Sequence, residues 1–149
     1  MVELKTMSPE RYAVWHTRIW ELYEGELIQS GVAEEKAKIE AKEGYEHSMP
    51  NGVLAPNNFA LDVIHNNEPI GVVWLVKQTE DWFIYDIDID EPHRGKGLGR
   101  QAMRAIEQFV KDNHGRSIGL SVFGFNEIAR NLYVSEGYET TRYQMKKTL

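Results

Sequence analysis

Apolar positions along the chain follow two rhythms. Tyr12, Trp15, Ile19 and Leu22 recur at spacings of three and four, the stripe of a helix that packs one face on a core. Ser8-Pro9-Glu10 stands where such a helix should start, with a cap, a proline suited to the first helical position and an acid for the first turn. Gly25 to Gly31 is expected to break it, and Val2–Thr6 before it reads as a short strand. Val32 to Glu43 is rich in Ala, Glu and Lys, with Glu34 and Lys38 four apart, which predicts a second, exposed helix. Tyr45 to Asn58 carries Pro50-Asn51-Gly52 and Pro56-Asn57-Asn58 and reads as loop. The rhythm then becomes that of strands: Phe59–His65 and Ile70–Lys77 flank Asn66-Asn67-Glu68 as a hairpin, and Trp82–Ile89 adds a third strand.

Helical spacing returns at Leu98, Ala102, Ala105, Ile106 and Phe109 and ends near Asn113 and Gly115. Ser117–Phe123 reads as a strand, and Asn126 caps a helix bearing Ile128, Ala129, Leu132 and Tyr133 that should stop at Gly137. Tyr138–Lys146 is expected to complete the sheet. The order β-α-α-β-β-β-α-β-α-β predicts an α/β (α+β) fold, one mixed sheet flanked by helices in a single domain over 1–149, because the β-α-β part needs a parallel crossover while the meander is antiparallel.

Composition narrows the chemistry. There is no cysteine among the 149 residues, so a thiolate metal site or cysteine acyl-enzyme is excluded and a reducing, cytoplasmic setting is expected. Its five histidines are scattered without ligand-like pairing, so no metal is expected. The longest apolar run, Ile70 to Val76, is too short to cross a bilayer. A net charge of −6 opposes nucleic acid and anionic membranes as partners and favours cationic acceptors.

The densest chemistry lies in Asp86-Ile87-Asp88-Ile89-Asp90-Glu91-Pro92-His93-Arg94-Gly95-Lys96-Gly97-Leu98-Gly99-Arg100, a glycine-rich turn between a strand and a helix. Unpartnered N–H groups and the positive dipole end at such a helix start bind phosphates, provided no side chain blocks them. Gly95, Gly97 and Gly99 keep the approach open, and Arg94, Lys96 and Arg100 add cations. Lys96 is not followed by Ser or Thr, which rules out a nucleoside-triphosphate P-loop, and the glycine spacing fits a dinucleotide fingerprint badly. Asn126, Arg130 and Tyr133 lie at i, i+4 and i+7, so one helical face can present an amide, a cation and a phenol to an extended ligand.

These residues resemble the GNAT superfamily of acyl-CoA-dependent N-acyltransferases. Arg94, Gly97 and Gly99 meet its R/Q-x-x-G-x-G/A signature, Ile89 takes its apolar position before the turn, and Asn126, Ala129, Leu132, Tyr133, Gly137 and Tyr138 reproduce its second motif. The resemblance implies acetyl-CoA as cosubstrate, bound through its pyrophosphate by backbone amides of Gly95, Lys96, Gly97, Leu98, Gly99 and Arg100. It implies that the main chain of Ile87 and Ile89 pairs with pantetheine, that Asn126 contacts it, and that Tyr133 protonates the leaving thiolate.

An attacking amine must also lose a proton, and Asp86 and Asp88 are the candidate bases, alternating with Ile87 and Ile89 so that both carboxylates face one side. Direct acetyl transfer to a primary amine in a ternary complex is the expected activity, with a small-molecule or protein amine as acceptor. A non-catalytic acyl-CoA-binding or sensing module is the alternative, against which the intact Tyr133 counts. An edge strand near the C-terminus could pair two copies.

Overall fold

Ser8 starts the first helix as its sequence predicts, its hydroxyl accepting from the Arg11 N–H at 3.2 Å while Pro9 takes the first helical position. In the computed structural model, which describes residues 1–149, the chain forms β1 (Val2–Thr6), α1 (Pro9–Gln29), α2 (Glu34–Ser48), β2 (Asn58–His65), β3 (Glu68–Gln78), β4 (Asp81–Ile89), α3 (Leu98–Asp112), β5 (Ser117–Leu120) and α4 (Glu127–Ser135). Single 3₁₀ turns sit at Pro50–Gly52 and Glu91–His93.

The five strands run in the order β1-β2-β3-β4-β5, antiparallel up to β4 and parallel between β4 and β5. One face carries the larger core, in which Leu61, Val63, Val73, Leu75, Trp82 and Ile84 meet Leu98, Met103, Ile106 and Val110 of α3, with Leu132 and Tyr133 of α4 at its margin. The other face holds Ala60, Trp74 and Val76 against Trp15 and Ile19 of α1. Arg11 ties α1 to the sheet through a 2.7 Å bond to Asp62, a carboxylate left only 5% exposed.

Three expectations are corrected. Helix α1 does not break at Gly25: buried Trp15, Ile19 and Leu27 hold it across the roughly 1 kcal/mol cost of an interior glycine, and it ends at Gln29 before Gly31 at φ +105°. Leu22 lies exposed beside that buried stripe rather than in it. Helix α2 absorbs Tyr45 to Ser48 from the expected loop, because Gly44 lets the Trp20 ring lie where a Cβ would stand, so the two helices pack closely there.

The third correction concerns the C-terminus. β5 stops at Leu120 instead of Phe123, and Tyr138–Lys146 does not join the sheet. Every residue from Glu139 to Leu149 is exposed and makes no backbone hydrogen bond, since none of its apolar side chains finds a surface of this chain to cover.

Candidate functional site

The site is built on a defect in β4. Trp74 faces Asp86 and Leu75 faces Ile84 across the β3–β4 ladder, so Tyr85 has no partner and forms a bulge. Before it, Trp82 and Ile84 point into the α3-side core; after it, Ile87 and Ile89 do. The extra residue thereby turns Asp86 and Asp88 to the α1–α2 side. Both carboxylates do share one face, as the alternation predicts, and the bulge decides which.

β4 pairs with β5 only over Asp81–Ile84. From Tyr85 onward its outer edge is open, and the two strands leave a gap. The N–H of Asp90 bonds Ile70 at 2.8 Å, so even-numbered residues here direct their backbone groups toward β3. Ile87 and Ile89 therefore direct theirs into the gap. Arg94 confirms the phase by donating from Nε to the Ile89 carbonyl at 2.6 Å.

The turn that follows is a cradle of donors. No N–H from Gly95 through Arg100, six in succession, reaches an acceptor in the chain; the first that does is Gln101, on the Gly97 carbonyl at 3.2 Å. Gly95 and Gly97 adopt φ +74° and +78°, left-handed values that let successive amides converge and that a side chain would strain. The expected ring of cations is thinner than its sequence implies. Arg94 is held by Asp88 at 3.0 Å and Arg100 by Glu136, leaving Lys96 as the unpaired cation of the turn. A cleft of about 390 Å³ adjoins the cradle, lined in part by His65, His93, Lys96 and Gln101.

Asn126 caps α4 with its side-chain oxygen on the Ala129 N–H at 3.2 Å, so only its NH₂ is left to donate outward. Arg130, one turn on, is exposed and unpaired. Tyr133 lies half-buried at the α3-side core, yet it senses the carboxylate on the other side of the gap: burial and then the charge of Asp86 push its phenol up to about 12.

Asp86 has no hydrogen-bond or ion-pair partner. Burial first, then the charges of Asp88 and Glu26, push its carboxyl up to about 7. Asp88 differs in being bonded to Arg94. Glu26, near the end of α1, is itself raised by burial and by Asp88. Tyr23 stands beside it, edge-on to Trp20 and 6.4 Å from the Phe123 ring across the gap, and its phenol is raised by burial and by the charges of Glu40 and Glu26. Sequence reasoning did not single out Glu26 as a site residue. Its signal was present: Glu26 follows Ile19 and Leu22 at helical spacing, a carboxylate on the expected core stripe.

The gap thus has two approaches. From the α3–α4 side it meets the amide cradle, the open β4 edge and Tyr133; from the α1–α2 side it meets Tyr23, Glu26, Asp86 and Asp88. No group of three or more His, Cys, Asp or Glu side chains is disposed to hold a metal ion.

Residues 14–138 match the model of the Acetyltransferase (GNAT) family. The chain is 29% identical to YycN of Bacillus subtilis, described as an uncharacterized N-acetyltransferase, over 99% of each chain. It is equally 29% identical to YdgE of the same organism, described likewise, over 98% of this chain and 97% of that one. The crystal structure of YycN superposes with a TM-score of 0.92 at 28% identity, covering 100% of this chain and 99% of the other. The fold is shared with AAC(6′)-Iy, solved in complex with the bisubstrate analogue CoA-S-monomethyl-acetylneamine, at a TM-score of 0.62 and 13% identity over 100% and 98% of the two chains.

Proposed function

The chain belongs to the GNAT acetyltransferase family, and from that premise we propose that it moves the acetyl group of acetyl-CoA directly onto a cationic amine, in the cytoplasm. One observation carries this reading: six free amides open onto a strand edge whose unpaired groups lead to an unpartnered carboxylate and a protonated phenol. Acetyl-CoA would supply the activated thioester.

The amides of Gly95–Arg100 fit a diphosphate, with Lys96 as the cation beside it. Ile87 and Ile89 offer N–H groups to the amide-bearing arm of an extended ligand, as one strand does to another, and a β4-edge N–H is the donor available to polarise the thioester carbonyl. Asn126 and Arg130 flank the same approach from α4. Asp86 accepts the proton that the amine must lose; a base near 7 can take it and is still about half ionised at neutral pH. Tyr133 stays protonated over the working range and donates to the departing sulfur. Asp88, bonded to Arg94, joins Glu26 in holding the positive charge of the acceptor.

Thermal unfolding with and without acetyl-CoA, followed by thiol release across a panel of amines, tests the proposal. Stabilisation by the cosubstrate and release that depends on both Asp86 and Tyr133 are expected. No stabilisation, or release unchanged in Asp86→Asn and Tyr133→Phe, overturns it.

A further inference from the structure

At three places a sheltered carboxylate is paired with arginine. Asp62 holds Arg11 at 2.7 Å, Asp88 holds Arg94 at 3.0 Å and Glu136 holds Arg104 at 3.0 Å. Asp86 and Glu26 are half-buried like Asp88, and neither has a cation. Their charges act on one another and on Asp88, so the three carboxylates form one field in which Arg94 is the cation in contact. A charge withdrawn from water is costly without a partner, and here two such charges stand on the acceptor side of the gap, one on α1 and one on β4.

Aromatic rings form the wall around this pair. Ring contacts run without a break from Tyr85 on β4 to Trp74 on β3 at 5.0 Å, on to Trp20 and then Tyr23 of α1 at 5.7 Å each, and to Phe123 beyond β5 at 6.4 Å. Asp86 lies opposite Trp74 in the ladder and Glu26 lies one turn after Tyr23, so the arc passes both carboxylates. Methylene chains pack on such ring faces, and an ammonium group is attracted to them. Because Arg94 is already held by Asp88, a carboxylate on the acceptor would meet repulsion with nothing to offset it.

The geometry points to an acceptor with two cations on one flexible carbon chain, a linear diamine or polyamine, whose reacting nitrogen meets Asp86 while its far ammonium pairs with Glu26. This rests on the acetyl transfer assigned to the gap and adds the chemistry of the acceptor. The near nitrogen gives one proton to Asp86 and bonds to the acetyl carbon as the carbon–sulfur bond breaks. Its second proton restores the phenol after Tyr133 has protonated the sulfur, and the far nitrogen keeps its proton throughout. Glu26 thereby selects two charges over one: an amine lacking the second cation leaves it unpaired, the situation in which sites discriminate most strongly.

Thiol release from acetyl-CoA with 1-aminobutane and with α,ω-diamines of three to eight carbons tests the assignment. Calorimetric titration of 1,4-diaminobutane onto the chain saturated with CoA, which needs no transfer, accompanies it. For the best diamine, kcat/KM should exceed that of the monoamine about tenfold or more, with a single acetyl group on the product by mass spectrometry. In Glu26→Gln that ratio should fall to about one, while acetyl-CoA still raises the melting temperature and shows the variant to be folded. Equal kcat/KM for the monoamine and every diamine overturns the acceptor assignment and leaves acetyl transfer standing. A ratio unchanged in Glu26→Gln also overturns it, by placing the far ammonium elsewhere. Titration of the diamine onto the unaltered chain and not onto Glu26→Gln, without thiol release, upholds the two-cation site and overturns the transfer. Neither titration nor release overturns both.

Discussion

Asp86 is held in a place that suits its neutral form, and the energy of that arrangement is measurable without any assay of activity. Its carboxyl titrates at about 7 in the folded chain against 3.8 when free, a difference of about three units, or ~4 kcal/mol. Because the folded value is the higher one, the associated stability is complete below pH ~4 and disappears as the pH rises through 7. Asparagine fills nearly the same volume and does not titrate. The stability of Asp86→Asn relative to the unaltered chain should therefore grow with pH, by about 3 kcal/mol between pH 5 and pH 8. With an unfolding entropy of about 0.3 kcal/mol/K for 149 residues, this corresponds to roughly 10 °C in melting temperature. Urea unfolding of both proteins at pH 5, 6, 7 and 8, without cosubstrate, reads the gap directly. A gap that is the same at pH 5 and pH 8, or one that shifts toward aspartate as the pH rises, refutes the placement of an unpaired, half-buried carboxylate at this position.

The same titration should govern turnover: kcat/KM is expected to rise about tenfold per pH unit below 7 and level off above it, and a profile flat from pH 5.5 to 8 would remove Asp86 as base. Tyr133→Phe should lower kcat roughly 100-fold or more while the thermal shift with acetyl-CoA stays intact, measured by thiol release and differential scanning fluorimetry. Gly97→Ala forces a side chain to φ +78° inside the amide cradle; a loss of about 1–2 kcal/mol in stability and at least a tenfold rise in KM for acetyl-CoA are expected from unfolding curves and initial rates. Arg11→Ala strands the Asp62 carboxylate beneath α1 and should cost about 3 kcal/mol by urea unfolding, most of it recovered when Asp62→Asn is added.

Local rules carried most of this fold. The Ser8 cap, the Asn126 cap, the hairpin through Asn66-Asn67 and the glycine turn before Leu98 all depend on neighbours a few positions apart, and each stands where the pattern of residues places it. Four features escaped because they depend on partners far away in sequence. The bulge at Tyr85 arises from the register of β4 against β3. The passage of α1 through Gly25 depends on Leu27 being buried by other elements, and the extension of α2 on the Trp20–Gly44 contact. The standing-off of Glu139–Leu149 follows from an edge and a segment that do not meet in one chain. For the site, Asp86 and Asp88 were legible as a pair but not as unequal partners, since Arg94 reaches back from the turn to occupy only one of them.

That inequality links the two ends of the proposed reaction. While Asp86 is ionised it raises Tyr133 and makes the phenol a poor acid, reluctant to protonate a thiolate. Once Asp86 has taken the proton of the amine, its charge is gone and that part of the rise disappears. The acid is thus strengthened by the step that deprotonates the nucleophile, and it is strengthened when a leaving group is about to form. Asp88 cannot replace Asp86 in this role, because its charge is already shared with Arg94. The bulge at Tyr85 makes the arrangement possible by turning an unpartnered carboxylate to the acceptor side while leaving it close enough to the gap for a phenol on the opposite side to respond. Were Tyr85 paired in a regular ladder, strict alternation from Ile84 would turn Asp86 and Asp88 into the α3-side core and separate the base from the amine it serves.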